Sequence, residues 1–67
     1  MDIKLRLKEL RLENNLTQHY VANVLNIKQN TYSQYESGQR QLPLELLVQL
    51  SEFYNVSTDY ILGIKDI

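Results

Sequence analysis

The chain predicts an all-α fold of five short helices, and three features carry that prediction. Apolar residues recur three and four positions apart, which lines one face of a helix, and no stretch alternates long enough to argue for a strand. Between these stretches stand Asn, Gly and Pro, which enter the left-handed region or cannot continue a helix. Two helix starts carry a hydroxyl residue with an apolar residue just before it and another four positions on, the pattern of a capped and stapled N-terminus.

In the first helix Ile3, Leu7 and Leu10 form the apolar stripe, and Asn14-Asn15 end it. Thr17 caps the second helix, with Leu16 and Val21 as the staple, and Asn26 stops it just after Leu25. The third helix runs from about Gln29 to Ser37, with Tyr32 and Tyr35 on its inner face and Gly38 as its left-handed terminator. Pro43 suits the first turn of the fourth, in which Leu44, Leu47, Leu50 and Phe53 recur on helical spacing until Asn55. Val56, Ser57 and Ile61 repeat the staple and cap, and Gly63 closes the fifth helix.

The chain has 67 residues, of which 43% are hydrophobic, and a net charge of -1, enough for one domain over 1–67 but not for two cores or a large cleft. With no Cys there is no disulfide framework, thiolate nucleophile or Cys-based zinc site, and one His makes no His-rich metal site, so neither metal nor cofactor is expected. His19 reads as an exposed helix residue with no nucleophile beside it, and no paired carboxylates are placed on a cleft; the chain is not expected to be an enzyme. No apolar run reaches the roughly 18 residues of a membrane span, and Met1-Asp2-Ile3-Lys4 lacks the layout of a signal peptide, so a cytoplasmic location is expected.

The stretch from Leu16 to Gly38 is the most informative. Two helices joined by a short turn can cross steeply only at a small residue, and Ala22 is the small residue on the inner face of the first. Val21, Leu25, Ile27, Tyr32 and Tyr35 then make the apolar wedge. At about 100° per residue, Asn30, Ser33, Gln34 and Ser37 point outward, with Gln29 at the exposed N-terminal edge. An outer face of amides and hydroxyls suits the reading of base edges in a major groove, although composition alone would favour a merely solvated face.

These residues resemble the phage repressor/Cro type of helix-turn-helix domain, the XRE family of bacterial and phage DNA-binding regulators. The resemblance is strongest over residues 7–63 and rests on Leu16-Thr17-Gln18, Val21-Ala22, the run from Thr31 to Gly38, and the tail Tyr54-Asn55-Val56-Ser57-Thr58-Asp59-Tyr60-Ile61-Leu62-Gly63. It implies a lambda-repressor-like fold in which helices 2 and 3 form the helix-turn-helix. It also implies sequence-specific binding of double-stranded DNA by a transcriptional regulator, a repressor by the family's pattern, acting as a homodimer on a palindromic operator. Carried onto this chain, Gln29, Asn30 and Gln34 would face bases, with Thr31 as a further position. Gln18, Lys28, Ser33 and Arg40 would lie near phosphates, and Arg11 would pair with Glu36. Tyr60, Ile64 and Ile67 stay open between a loose chain end and a dimer contact.

The sequence departs from the family pattern at four places. Asn15 and Asn26 stand where Gly is common, Tyr20 replaces an acidic residue that often completes the capping box, and Lys28 replaces a capping Ser. Lys28 cannot accept from the N–H groups that open helix 3, which leaves them for a phosphate. A rival reading is a protein-interaction module of the same fold, such as an antitoxin, with DNA binding secondary. Its support is a second stripe on the first helix, Leu5 and Leu12, for which ordinary exposed leucines are the plainer reading. The charge is uneven: residues 1–16 and 17–40 each carry +1 and residues 41–67 carry -3, so the acid is concentrated away from the third helix.

Overall fold

The computed structural model describes residues 5–66, in which five α-helices follow one another: α1 (Leu7–Glu13), α2 (Gln18–Val24), α3 (Gln29–Ser37), α4 (Leu44–Tyr54) and α5 (Thr58–Ile61). Three of the four reversals between helices turn on an asparagine. Asn15, Asn26 and Asn55 adopt φ of 57°, 58° and 56°. In each case the next residue donates its N–H back into the finished helix: Leu16 to Arg11 O at 3.0 Å, Ile27 to Ala22 O at 3.0 Å, and Val56 to Ser51 O at 3.1 Å. This is the Schellman closure, which satisfies carbonyls that a helix end would otherwise leave unpaired, and asparagine is the side chain that tolerates it best after glycine. Gly38 has φ of 82° and open space where a Cβ would lie, so it is the backbone angle, not crowding, that calls for glycine there.

Helix starts are less uniform. Thr17 Oγ1 accepts from Tyr20 N and Ser57 Oγ from Tyr60 N, both at 3.0 Å, whereas Lys28 and Pro43 cap nothing with their side chains. Pro43 lies one residue outside α4, as its extended N-cap, rather than in the first turn.

The core gathers Leu7 and Leu10 of α1, Val21 and Ala22 of α2 with Leu25, Tyr32 and Tyr35 of α3, Leu47 and Leu50 of α4, and Ile61 of α5. Ala22 is fully enclosed, and α2 packs on α3 more extensively than any other pair of helices. Ile27 of the expected wedge is only half-buried, and Ile3 of the first stripe lies outside the described residues. On α4 the expected stripe is half right. Leu47 and Leu50 are buried, but Leu44 is 73% exposed and Phe53 37% exposed, and Leu46 and Tyr54 flank the core instead. A step of three residues falls about 60° short of a turn, so a line drawn from Leu44 to Phe53 drifts half-way round the helix.

The two ends of the described chain are fastened together. Arg6 N donates to Ile61 O at 3.0 Å, its guanidinium lies 4.4 Å from the centroid of the Tyr60 ring, and Nη2 meets Asp66 Oδ1 at 3.2 Å. This places α5 against the start of α1 and leaves the outer side of α3 uncovered.

Candidate nucleic-acid interface

The surface of interest is built by α2, the turn over residues 25–28 and α3. Asn26 turns the chain in the left-handed conformation, and Tyr32 and Tyr35, both buried, anchor the inner side of α3. The register of those two tyrosines decides what the opposite face presents. Gln29 and Asn30 are exposed, Thr31, Ser33 and Gln34 are half-buried, and Ser37 is exposed. The side chains of Gln29, Asn30, Thr31, Ser33 and Gln34 make no hydrogen bond among the described residues, so their donors and acceptors are all available. At the start of α3, Lys28 leaves the first N–H groups without a side-chain cap.

The only charged side chain of α3 is turned aside. Glu36 Oε2 accepts from Arg11 Nε at 2.7 Å and Oε1 from Arg11 Nη2 at 3.2 Å, a bidentate pair with 11% and 5% of the two side chains exposed. Arg11 Nη1 also donates to Leu16 O at 3.1 Å. One guanidinium thereby ties α1 to the end of α3 and to the loop before α2. Burial pushes the Glu36 carboxyl up, but the hydrogen bonds from Arg11 and Gln18 and the nearby Tyr32 hydroxyl outweigh it and hold the group below the usual glutamate range. The Tyr32 hydroxyl is itself buried beside this carboxylate without hydrogen-bond geometry, and so is Tyr54 OH. Desolvation first, then the Glu36 charge, drives the Tyr54 hydroxyl up to about 12.

Of the positions expected near phosphate, Gln18 is turned inward: its Nε2 donates to Glu36 Oε1 at 3.2 Å, which leaves one amide N–H. Lys28 and Arg40 are exposed at the two ends of α3, and Ser33 lies half-buried along its flank. Of the three residues left open at the chain end, Tyr60 is partly buried beneath Arg6, Ile64 is 57% exposed, and Ile67 lies outside the described residues. Leu12 is 55% exposed beside a shallow groove of about 470 Å³ that it lines with Leu5, Lys8, Tyr35 and Gly38. His19 is exposed, 3.4 Å from Asn23 Nδ2.

Nothing in the sequence distinguishes Arg6, whose partners lie at the far end of the chain, or Lys8, which looks like any solvated helix cation until α1 is placed beside α3. Among the described residues no group of three His, Cys, Asp or Glu side chains is placed to hold a metal, and no helix is long and apolar enough to cross a membrane.

The helix-turn-helix family model matches residues 7–61. The chain is 46% identical over 63 residues to the HTH-type transcriptional regulator ImmR of Bacillus subtilis, covering 94% of this chain and 50% of that protein. It is 39% identical over 51 residues to the cryptic phage CTXphi transcriptional repressor RstR of Vibrio cholerae, covering 76% and 46%. A crystal structure of a transcriptional regulator from Listeria innocua superposes with a TM-score of 0.83 at 31% identity, covering 87% of this chain and 54% of that one. The chain thus spans about half the length of the curated relatives it matches. With its helices, its turn and its matched residues in agreement, the chain belongs to the helix-turn-helix family of the phage repressor/Cro (XRE) type.

Proposed function

We propose that the protein is a sequence-specific regulator of transcription, a repressor, which lays α3 in the major groove of double-stranded DNA as one half of a symmetric dimer on a palindromic operator. The observation that carries this reading is the outer face of α3: Gln29, Asn30, Thr31, Ser33 and Gln34, whose side chains have no hydrogen-bond partners among the described residues, on a face cleared of charge because Glu36 is bound to Arg11. Gln29, Asn30 and Gln34, with Thr31, make the base contacts in this reading. Lys28, Arg40, Ser33, the remaining Gln18 N–H and the uncapped start of α3 hold phosphates. A glutamine or asparagine amide can donate to N7 and accept from the N6 amino group of adenine, and no arginine on this face forks onto guanine, so the central contacts favour A·T pairs. One domain of this size spans few base pairs, and a dimer doubles the site, with half-sites about 10 bp apart, centre to centre. Of Tyr60, Ile64 and Ile67, Ile64 is the described side chain that is exposed enough to meet a second copy.

Selection of bound duplexes from a random pool tests the proposal. The expected outcome is a palindrome at that spacing with A·T pairs at its central preferred positions. Guanine at every strongly preferred position would overturn the base assignment, and a pool that never enriches would overturn DNA binding itself.

A further inference from the structure

Between α1, α2 and the C-terminal half of α3, a notch of about 260 Å³ opens to solvent, lined by Lys8, Arg11, Gln18, Ser33, Glu36 and Ser37. Its walls come from α1, α2 and α3, and every side chain in it is polar. We propose that this notch is a phosphate site for one strand of the duplex, and that Lys8 of α1, outside the helix-turn-helix pair, is its cation.

Three observations carry the assignment, which rests on the DNA-binding reading above. The first is charge. Both oxygens of Glu36 are taken by Arg11 and Gln18, at 2.7 to 3.2 Å, so the carboxylate does not confront an incoming anion as an unpaired charge. With Lys8, Arg11 and Glu36 together, the notch carries +1. The second is donor supply. Lys8 makes no ion pair among the described residues, Ser33 makes no side-chain hydrogen bond among them, and Gln18 keeps one amide N–H; only the Ser37 hydroxyl is engaged, donating to Gln34 O at 3.2 Å. Donors in excess of acceptors around one concave site suit an oxyanion and not a cation. The third is position. On the α3 wheel Ser33 and Ser37 lie one turn apart, beside the row of Asn30 and Gln34, so a helix that points that row at base edges turns the notch toward the sugar-phosphate strand bordering the groove.

The cations of the chain divide in the same sense. Among the described residues Arg6, Arg11 and Lys65 are paired with Asp66, Glu36 and Asp59, whereas Lys8, Lys28 and Arg40 make no ion pair. Those three surround α3.

The test is the salt dependence of duplex binding by the full chain and by Lys8→Gln, an exposed position where the substitution leaves the core untouched. Removing one phosphate contact per subunit, two per dimer, should flatten the slope of log Kobs against log salt by about 1.8 and weaken binding about thirtyfold at 0.15 M, equally for a selected and a random duplex. Ser33→Ala should weaken binding without altering the slope, and Lys65→Gln, which pairs with Asp59 and does not line the notch, should change neither. A Lys8→Gln chain with the unchanged slope overturns the notch while DNA binding stands. A parent chain that retains no duplex overturns the DNA reading and the notch with it.

Discussion

Replacing Arg11 with Ala should remove most of the stability of this domain. The guanidinium makes two bonds to Glu36, at 2.7 and 3.2 Å, and one to the Leu16 carbonyl at 3.1 Å. After truncation the Glu36 carboxylate, with 5% of its side chain exposed, keeps only the neutral amide of Gln18. Removing one partner of a buried ion pair costs about 3–5 kcal/mol, because the other charge is stranded. A 67-residue domain has roughly 3–10 kcal/mol in all, at about 0.05–0.15 kcal/mol per residue. The variant should therefore retain at most a few kcal/mol at 25 °C, with Tm lowered by roughly 12–40 °C.

Urea denaturation followed by helical circular dichroism reads this directly, as a fall in midpoint at constant slope. The companion variant Arg11→Met/Glu36→Leu separates the loss of the pair from the stranding of its survivor. It should be more stable than Arg11→Ala alone, because no charge is left buried. A loss below about 1 kcal/mol in Arg11→Ala, the range of a surface pair, would refute the reasoning, as would strict additivity in the double variant.

Three further outcomes are expected. The folded-state pKa of Glu36 lies below its unfolded value, so its contribution is present above about pH 4.3 and lost as the pH falls through the folded value; Glu36→Gln should remove that part of the acid denaturation curve. Tyr54→Phe deletes a buried hydroxyl with no partner, so stability should hold or rise by about 1 kcal/mol, and a loss of more than that would expose a hydrogen bond that the structure lacks. Ile64→Asp, at an exposed position, should fold normally but sediment as a monomer and lose operator affinity; a variant as dimeric as the parent would remove Ile64 from the dimer surface.

Local chemistry was legible in the sequence where a single residue decides the outcome. The asparagines read as left-handed stops adopt that conformation at positions 15 and 26, Asn55 does so where the spacing of the fourth helix ends, and the two hydroxyl residues read as N-caps accept their hydrogen bonds. The inward tyrosines of α3 were legible for the same reason: a nine-residue helix with two large apolar side chains has one way to turn. What the sequence conceals is the placement of one helix beside another. Leu44 and Phe53 fit a helical spacing yet end on opposite sides of α4, because the spacing does not say where the core lies. Gln18 matches a phosphate-contact position, but its amide is shared with Glu36, a residue 18 positions away. Arg6, with Tyr60 and Asp66, is likewise hidden by sequence distance.

The same division explains how a chain of net charge -1 can serve as a DNA binder. Net charge counts every cation alike, but counterion release counts only those that reach phosphate. In the proposed complex Arg6, Arg11 and Lys65 already neutralise acids of the same chain, and the cations free among the described residues are Lys8, Lys28 and Arg40. Three phosphates neutralised per subunit correspond to a salt slope of about -2.7, and a dimer to about -5, well short of proteins whose slope approaches about -10. Non-specific affinity should be correspondingly low at physiological salt, where that term supplies nearly all of it. Discrimination then falls to the uncharged face of α3, whose amide contacts salt leaves intact. On this account the Arg11–Glu36 pair does more than brace the fold. By consuming the one negative charge of α3, it lets a nearly neutral protein present a face that DNA does not repel.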